Sequence, residues 1–123
     1  MKSLILAAGY ATRLYPITQN FPKPLLAVGT SQKKILDRLI DDIDTLHDID
    51  EHIIVVNHTF FLQFESWKNA RTFKHPVVLV DDGSTANENR LGAVKDIAFA
   101  IERCGIADTV LVLAGDNVLD FSL

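Results

Sequence analysis

The sequence predicts an α/β fold, a three-layer α/β/α sandwich built on a parallel sheet. Four short apolar runs, at 3–8, 52–57, 77–80 and 109–113, lack the in–out alternation of a half-exposed sheet. Each reads as a strand buried on both faces. Between them lie segments whose apolar residues recur at helical spacing. Strand and helix alternate along the chain, the pattern of βαβ units with helices on both faces of the sheet.

The first strand is Ser3-Leu4-Ile5-Leu6-Ala7-Ala8, and residues 9–30 follow as a loop. Ser31 is placed to cap a helix running from Gln32 to about His47. Ile35, Leu36, Leu39, Ile40, Ile43 and Leu46 fall on one face of that helix. Lys33, Asp37, Arg38, Asp41, Asp42 and Asp44 fall on the other, which reads as solvated. His52 to Asn57 is an apolar second strand. Phe60, Phe61, Phe64 and Trp67 then form an aromatic stripe that fits one buried helix face, until Lys74-His75-Pro76 breaks the pattern. Val77 to Val80 is the third strand, followed by Asp81-Asp82-Gly83-Ser84 and a polar loop over 83–90. Leu91, Val94, Ile97, Ala98 and Ile101 give a third helix, and Gly105 is its natural C-cap. Thr109 to Leu113 is the fourth strand, leading into Ala114-Gly115-Asp116-Asn117.

A chain of 123 residues fits one domain. With 48% hydrophobic and 23% charged residues it has the composition of a soluble globular protein. The net charge of −4, with dispersed Lys and Arg, argues against a nucleic-acid surface and a polybasic membrane patch. No apolar run approaches the ~20 residues of a membrane span, and no signal-peptide pattern is seen. A cytoplasmic location is therefore expected. The lone cysteine, Cys104, reads as a small core residue near the end of an apolar helix. The histidines at 47, 52, 58 and 75 lack metal-ligand spacing, so no zinc site is expected. No serine sits in a nucleophile elbow, and no nucleophilic triad is expected.

The informative stretch is Leu6 to Leu26, LAAGYATRLYPITQNFPKPLL. A buried strand opens into a loop of small residues, Ala8, Gly9, Ala11 and Thr12, carrying Arg13 and Lys23. Small side chains let a ligand approach the main chain, where free N–H groups can cradle phosphate oxygens. Arg13 offers a planar fork of donors and Lys23 a point charge. Pro22 and Pro24 stiffen the segment around Lys23, lowering the entropy lost in positioning its ammonium. An ordinary strand-to-helix connection with two solvated cations explains the same residues. Neither the dinucleotide glycine pattern nor a Walker loop is present.

At these residues the sequence resembles the sugar-phosphate nucleotidyltransferases, or NDP-sugar pyrophosphorylases, of the glucose-1-phosphate thymidylyltransferase type. Their N-terminal motif runs roughly L-A-A-G-x-G-T-R-L-x-P-L-T, then a spacer, then P-K-P-L-L. Ala11 stands in place of the second glycine, and alanine does not favour positive φ, so the loop is expected to differ there. The resemblance implies that Leu6, Ala7, Ala8 and Gly9 line a nucleotide. It also implies that Arg13 holds the triphosphate and that Lys23 contacts the reacting phosphates, both in catalytic roles. LVLAGDN, Leu111 to Asn117, resembles the second landmark of the family, whose aspartate ligates a metal. Without the resemblance Asp116 reads more readily as a turn former in a Gly-Asp-Asn turn; the resemblance favours the metal ligand. Glu88 to Lys95 lies where the family reads the base. Gly92 would allow close approach there, though a plain helix start explains it as well, and His58 would face the same end of the sheet.

The expected sheet is Rossmann-like, with strand order 3-2-1-4. In that order the switch point falls between strands one and four, where ligands bind beyond the carboxyl ends. Gly9, Arg13 and Asp116 would then share one crevice. A carboxylate facing phosphates calls for a divalent cation, and Mg2+ suits one or two carboxylates plus phosphate oxygens. The resemblance implies a Mg2+-dependent reaction of an NTP with a sugar 1-phosphate, giving NDP-sugar and pyrophosphate. It covers the family's N-terminal half. Residues 1–123 are therefore expected to be the nucleotide-binding N-terminal portion of an incomplete nucleotidyltransferase domain, inactive alone. The open edge of strand four invites another chain, so a homo-oligomer is a further expectation. The alternatives are transfer to a non-sugar phosphate such as phosphocholine, and a non-catalytic nucleotide-binding module.

Overall fold

A computed structural model describes residues 1–8, 22–25, 27–28, 33–85, 92–106 and 109–114. Strand β1 is Lys2–Ala7, followed by a 3-10 turn at Lys23–Leu25. The two-residue strands β2, Ala27–Val28, and β3, Lys33–Lys34, pair antiparallel with each other. Helix α1 is Ile35–Ile43, β4 is Glu51–Val56, and α2 is Phe61–Asn69. Strand β5 is Val77–Asp81, α3 is Ala93–Cys104, and β6 is Val110–Ala114.

The main sheet has the order β5-β4-β1-β6, which is the expected 3-2-1-4 among the long strands. All its pairings are parallel, with Lys2 opposite Glu51 and Ala7 opposite Val56. On the other side of β1, Leu6 lies opposite Ala114. β4 pairs with β5 from His52 and Val77 to Val56 and Asp81.

Successive residues of β1 and β4 serve opposite cores, which is why their sequences do not alternate. Ile5, Ala7, Ile54 and Val56 pack with Leu36, Leu39, Ile40 and Ile43 of α1 and with Phe60, Phe64 and Trp67. Leu4, Ile53 and Val55 pack with Ala8, Val80 and Ala100 on the α3 side. The aromatic stripe is core as expected: Phe64 is fully buried, and burial of such a ring contributes about 1.5–3 kcal/mol. Gly105 ends α3 in the left-handed region, φ 61°, and the Ile106 N–H reaches the Ile101 carbonyl at 3.1 Å, a Schellman ending.

Four expectations need correction. Helix α1 begins at Ile35 instead of Gln32, because Lys33–Lys34 is taken up by pairing with Ala27–Val28; Ser31 lies outside the described residues. The acidic face of α1 is partnered: the Arg71 guanidinium donates to Asp37 and Asp41, and Trp67 Nε1–H donates to Asp37 at 2.9 Å. Helix α3 turns Asp96 and Ala100 inward and leaves Ala98 and Ile101 exposed. Cys104 is exposed, since it lies at the free end of that outward face.

Candidate functional site

β1 is flanked on both sides by strands that come later in the chain, β4 and β6. Because both pairings are parallel, the chain leaves Ala8 and Ala114 at the same end of adjacent strands. This is the switch point of the fold, where a ligand meets the carboxyl ends of the strands. Leu6 lies at the end of the β1–β6 ladder, and Ala7 and Ala8 are buried. Gly9, Arg13 and Asp116 lie outside the described residues. The backbone of Lys23 lies in the 3-10 turn, where the Leu25 N–H reaches the Pro22 carbonyl at 3.1 Å and Leu25 enters the core.

The carboxyl ends of β1, β4 and β5 are tied together by side chains. Asn57 is fully buried; its Nδ2–H donates to the Ala8 carbonyl at 3.1 Å, and its Oδ1 accepts from the Phe60 N–H at 2.9 Å. Asn57 thus fixes the exit of β1 and the entry to α2 with one amide. The His58 N–H donates to the Ser84 carbonyl at 2.9 Å, and Thr59 Oγ1–H to the Thr85 carbonyl at 2.6 Å. His58 Nδ1–H meets Asp81 Oδ2 at 2.7 Å, so the exposed His58 ring is committed to holding β5.

Gly92 opens α3 at φ 82° and ψ 163°, a conformation nearly closed to other residues. Among the described residues nothing lies within 4 Å of where its Cβ would stand. Glycine is required there by backbone angle, and the space beside it is open. One turn later Asp96 is buried beside Asp82. Asp82 Oδ1 accepts the Ser84 N–H at 2.9 Å. Burial first, then the hydrogen bond and charge of Asp82, push the Asp96 carboxyl up from 3.8 to about 7.

Ser3, His52 and Asp44 meet at the opposite end of the sheet. Asp44 can only accept, so His52 Nε2 carries the hydrogen toward Asp44 Oδ1 at 2.8 Å. His52 Nδ1 then accepts from Ser3 Oγ–H at 2.7 Å. Burial holds the imidazole below its ordinary 6.5, against the pull of Asp44. Ser3 and His52 are both fully enclosed, so this chain of hydrogen bonds has no route to a substrate.

The structure therefore gathers Leu6, Ala7, Ala8 and Gly92 at one end of the sheet. The sequence places His58 at this end, whereas the Asn57 clamp on Ala8 and the Asp82–Asp96 pair emerge only in the fold. The available signal was Asp96 four residues before Ala100, on the face turned to the sheet. Among the described residues no group of three or more His, Cys, Asp or Glu could hold a metal ion. Nor is any helix among them long and apolar enough to cross a membrane.

Known proteins share both sequence and architecture with this chain. It is 38% identical over 125 residues to mannose-1-phosphate guanylyltransferase 1 of Arabidopsis thaliana, covering all of this chain and 33% of that protein. It is 31% identical over 123 residues to the bifunctional protein GlmU of Methanococcus aeolicus, covering 26% of that protein. UTP–glucose-1-phosphate uridylyltransferase of Synechocystis is 28% identical over 129 residues, with 32% of its length covered. The chain thus spans about a quarter to a third of the length of these curated relatives. The solved CTP:phosphocholine cytidylyltransferase of Streptococcus pneumoniae superposes with a TM-score of 0.71 at 26% identity, over 99% of this chain and 47% of that one. UDP-glucose pyrophosphorylase in complex with UDP-glucose shares the fold, with a TM-score of 0.67 at 19% identity, over 94% of this chain and 45% of that one. The family model described as nucleotidyl transferase matches residues 2–123, and with a match of that extent on this sheet order the chain belongs to the nucleotidyl transferase family.

Proposed function

We propose that residues 1–123 form the nucleotide-binding portion of a nucleotidyltransferase domain that joins an NTP to a sugar 1-phosphate, releasing pyrophosphate. The observation that carries this reading is the switch point. β1, ending in Ala7 with Ala8 just beyond, runs parallel to β6, so the segments bearing Gly9 and Asp116 follow from one end of adjacent strands. Membership of the family and the sugar-phosphate relatives support the choice of substrates.

In this proposal the backbone of Leu6 to Gly9 lines the nucleotide, and Gly92 leaves room beside it. An acceptor phosphate oxygen attacks the α-phosphorus, and the bond from that phosphorus to the departing pyrophosphate oxygen breaks. The protein's task is to hold two anions together and offset the charge that develops. Arg13 stabilises the departing pyrophosphate. Lys23 offsets charge at the α-phosphate and the incoming phosphate. Asp116 holds Mg2+, which when bound lowers the repulsion between carboxylate and phosphates. A cytoplasmic location and assembly into homo-oligomers belong to the same proposal.

Pyrophosphate release over a panel of NTPs and sugar 1-phosphates tests it, in the protein that carries this chain. Release that needs both substrates is the expected result. Arg13→Ala and Asp116→Ala are each expected to lose about a hundredfold in turnover, about 3 kcal/mol, with the fold intact. Wild-type turnover in either variant refutes its role. Nucleotide binding without release points to a non-catalytic module. The likeness to a phosphocholine cytidylyltransferase favours a second reading, transfer to phosphocholine, which the same panel decides when phosphocholine is included.

A further inference from the structure

Among the described residues, no cation answers two buried carboxyls at the carboxyl end of the sheet. Asp82 is 7% exposed and Asp96 6%, and the Asp82 carboxyl lies close enough to Asp96 to act on it as a hydrogen-bond partner. As two carboxylates, each leaves one oxygen without a donor: Asp82 Oδ2 and Asp96 Oδ1. Two ionised groups cannot share such a site, whereas a single proton supplies the missing donor and removes the repulsion.

Among the described residues, the charged groups around the pair are engaged elsewhere or exposed. On the β5 side, Ser84 N–H donates to Asp82 Oδ1, while Asp81 is engaged by His58 and the Gly83 N–H. On α3, Lys95 is exposed, and Glu102 and Arg103 are exposed at the far end of the helix. α3 packs on β1 and β4. The charged groups of those strands lie at their amino ends: Lys2 pairs with Glu51, and His52 is held by Ser3 and Asp44. Among the described residues the charge acting on Asp96 is that of Asp82.

We propose that Asp82 and Asp96 are a proton-sharing positioning pair: the proton on Asp96, donated to Asp82, ties the first turn of α3 to the end of β5 and so sets the wall of the nucleotide cleft at Gly92. The link to Gly92 is direct, because the Asp96 N–H closes the first turn of α3 on the Gly92 carbonyl at 3.0 Å. Loss of the proton leaves two like charges buried face to face, and relief requires α3 and β5 to separate. The role in binding rests on the nucleotide-binding reading above; the shared proton does not.

Asp96 titrates in an accessible range, at about 7. Binding that needs the protonated form of such a group weakens about tenfold between pH 6 and pH 8. The test measures affinity for CTP, UTP, GTP and dTTP, each with magnesium, for wild type, Asp96→Asn and Asp96→Ala across that range. Asp96→Asn keeps a donor toward Asp82 and cannot titrate. It is expected to match wild type at pH 6 and to bind about tenfold more tightly than wild type at pH 8. Titration of the nucleotide phosphates is common to both proteins and cancels in the ratio. Asp96→Ala is expected to bind weakly throughout. The same pH dependence in Asp96→Asn as in wild type overturns the proposal, as does wild-type affinity at pH 6 in Asp96→Ala.

Thermal unfolding without nucleotide provides an independent readout. The melting-temperature gap by which Asp96→Asn exceeds wild type is expected to widen from about pH 4 to about pH 7 and then stay constant. No gap overturns the shared proton. A gap in a protein that binds none of the four nucleotides upholds the shared proton and overturns the nucleotide reading with the positioning role. Should Asp96→Asn fail to fold, Asp82→Asn serves, since its amide donates to Asp96 in turn.

Discussion

At the amino end of the sheet, Ser3, His52 and Asp44 form a closed chain of hydrogen bonds in which every ring nitrogen is used. At the carboxyl end, Asp82 and Asp96 are also buried, and among the described residues each keeps an oxygen without a donor. Both ends bury polar groups, and Asn57 at the carboxyl end is satisfied by Ala8 and Phe60, but among the described residues the Asp82–Asp96 pair is not. A satisfied network fixes a structure. An unsatisfied one stores a dependence on something outside the protein, here a proton, between the end of β5 and the first turn of α3 at the positive-φ Gly92. The contrast separates the end that holds the fold together from the end that meets a ligand.

The largest effect that tests this contrast belongs to the amino end. His52→Ala removes a fully buried ring and strands Ser3 Oγ and Asp44, at an expected cost of about 3 kcal/mol or more in urea unfolding. Nucleotide affinity of the molecules that remain folded should be unchanged. A loss of affinity there would break the division between the ends.

Asn57→Ala should affect both properties. It orphans the Ala8 carbonyl and the Phe60 N–H, and each buried unsatisfied group costs about 1–3 kcal/mol. Denaturant midpoint and nucleotide affinity are expected to fall together, because the clamp holds the exit of β1. Gly92→Ala should cost about 1–3 kcal/mol from backbone strain alone, since the space for its methyl is open. Unchanged stability in this variant would show that the start of α3 adjusts freely.

The two ends also answer to pH with opposite sign. His52 has a folded value below its unfolded 6.5, so the unfolded chain takes up the proton first as pH falls. Its contribution is complete above 6.5 and declines as pH drops toward the folded value. Asp96 has a folded value of about 7 above its unfolded 3.8, so the folded protein holds the proton across that interval. Its contribution is greatest below 3.8 and is lost as pH rises to about 7. Melting temperatures from pH 5 to pH 8 should therefore rise more steeply with pH in Asp96→Asn than in wild type. A His52 variant that still folds should show the reverse change, and identical profiles in all three proteins would refute both assignments.

The layered α/β architecture was legible because it depends on local patterns. Ile5 and Leu4 read as a continuous apolar run since opposite faces of β1 both meet helices, and Phe60, Phe64 and Trp67 share a face by helical spacing alone. Gly105 announced the end of α3 through the backbone angle that only glycine adopts easily. The motif from Leu6 to Leu26 likewise carried the family in its order of residues.

What the sequence left open is the set of contacts between segments far apart in the chain. Asn57 and Ala8, Asp37 and Arg71, and Asp82 and Asp96 are ordinary polar residues until the sheet order makes them neighbours. Asp37 and Asp96 read alike as helix carboxylates. Tertiary packing gave Asp37 an arginine, and left Asp96 facing another acid in a site with little water. By itself the sequence determined the four long strands, the three helices between them and the family. Only the tertiary structure decided which buried charge was answered, because the cost of burying a charge depends on what the fold brings beside it.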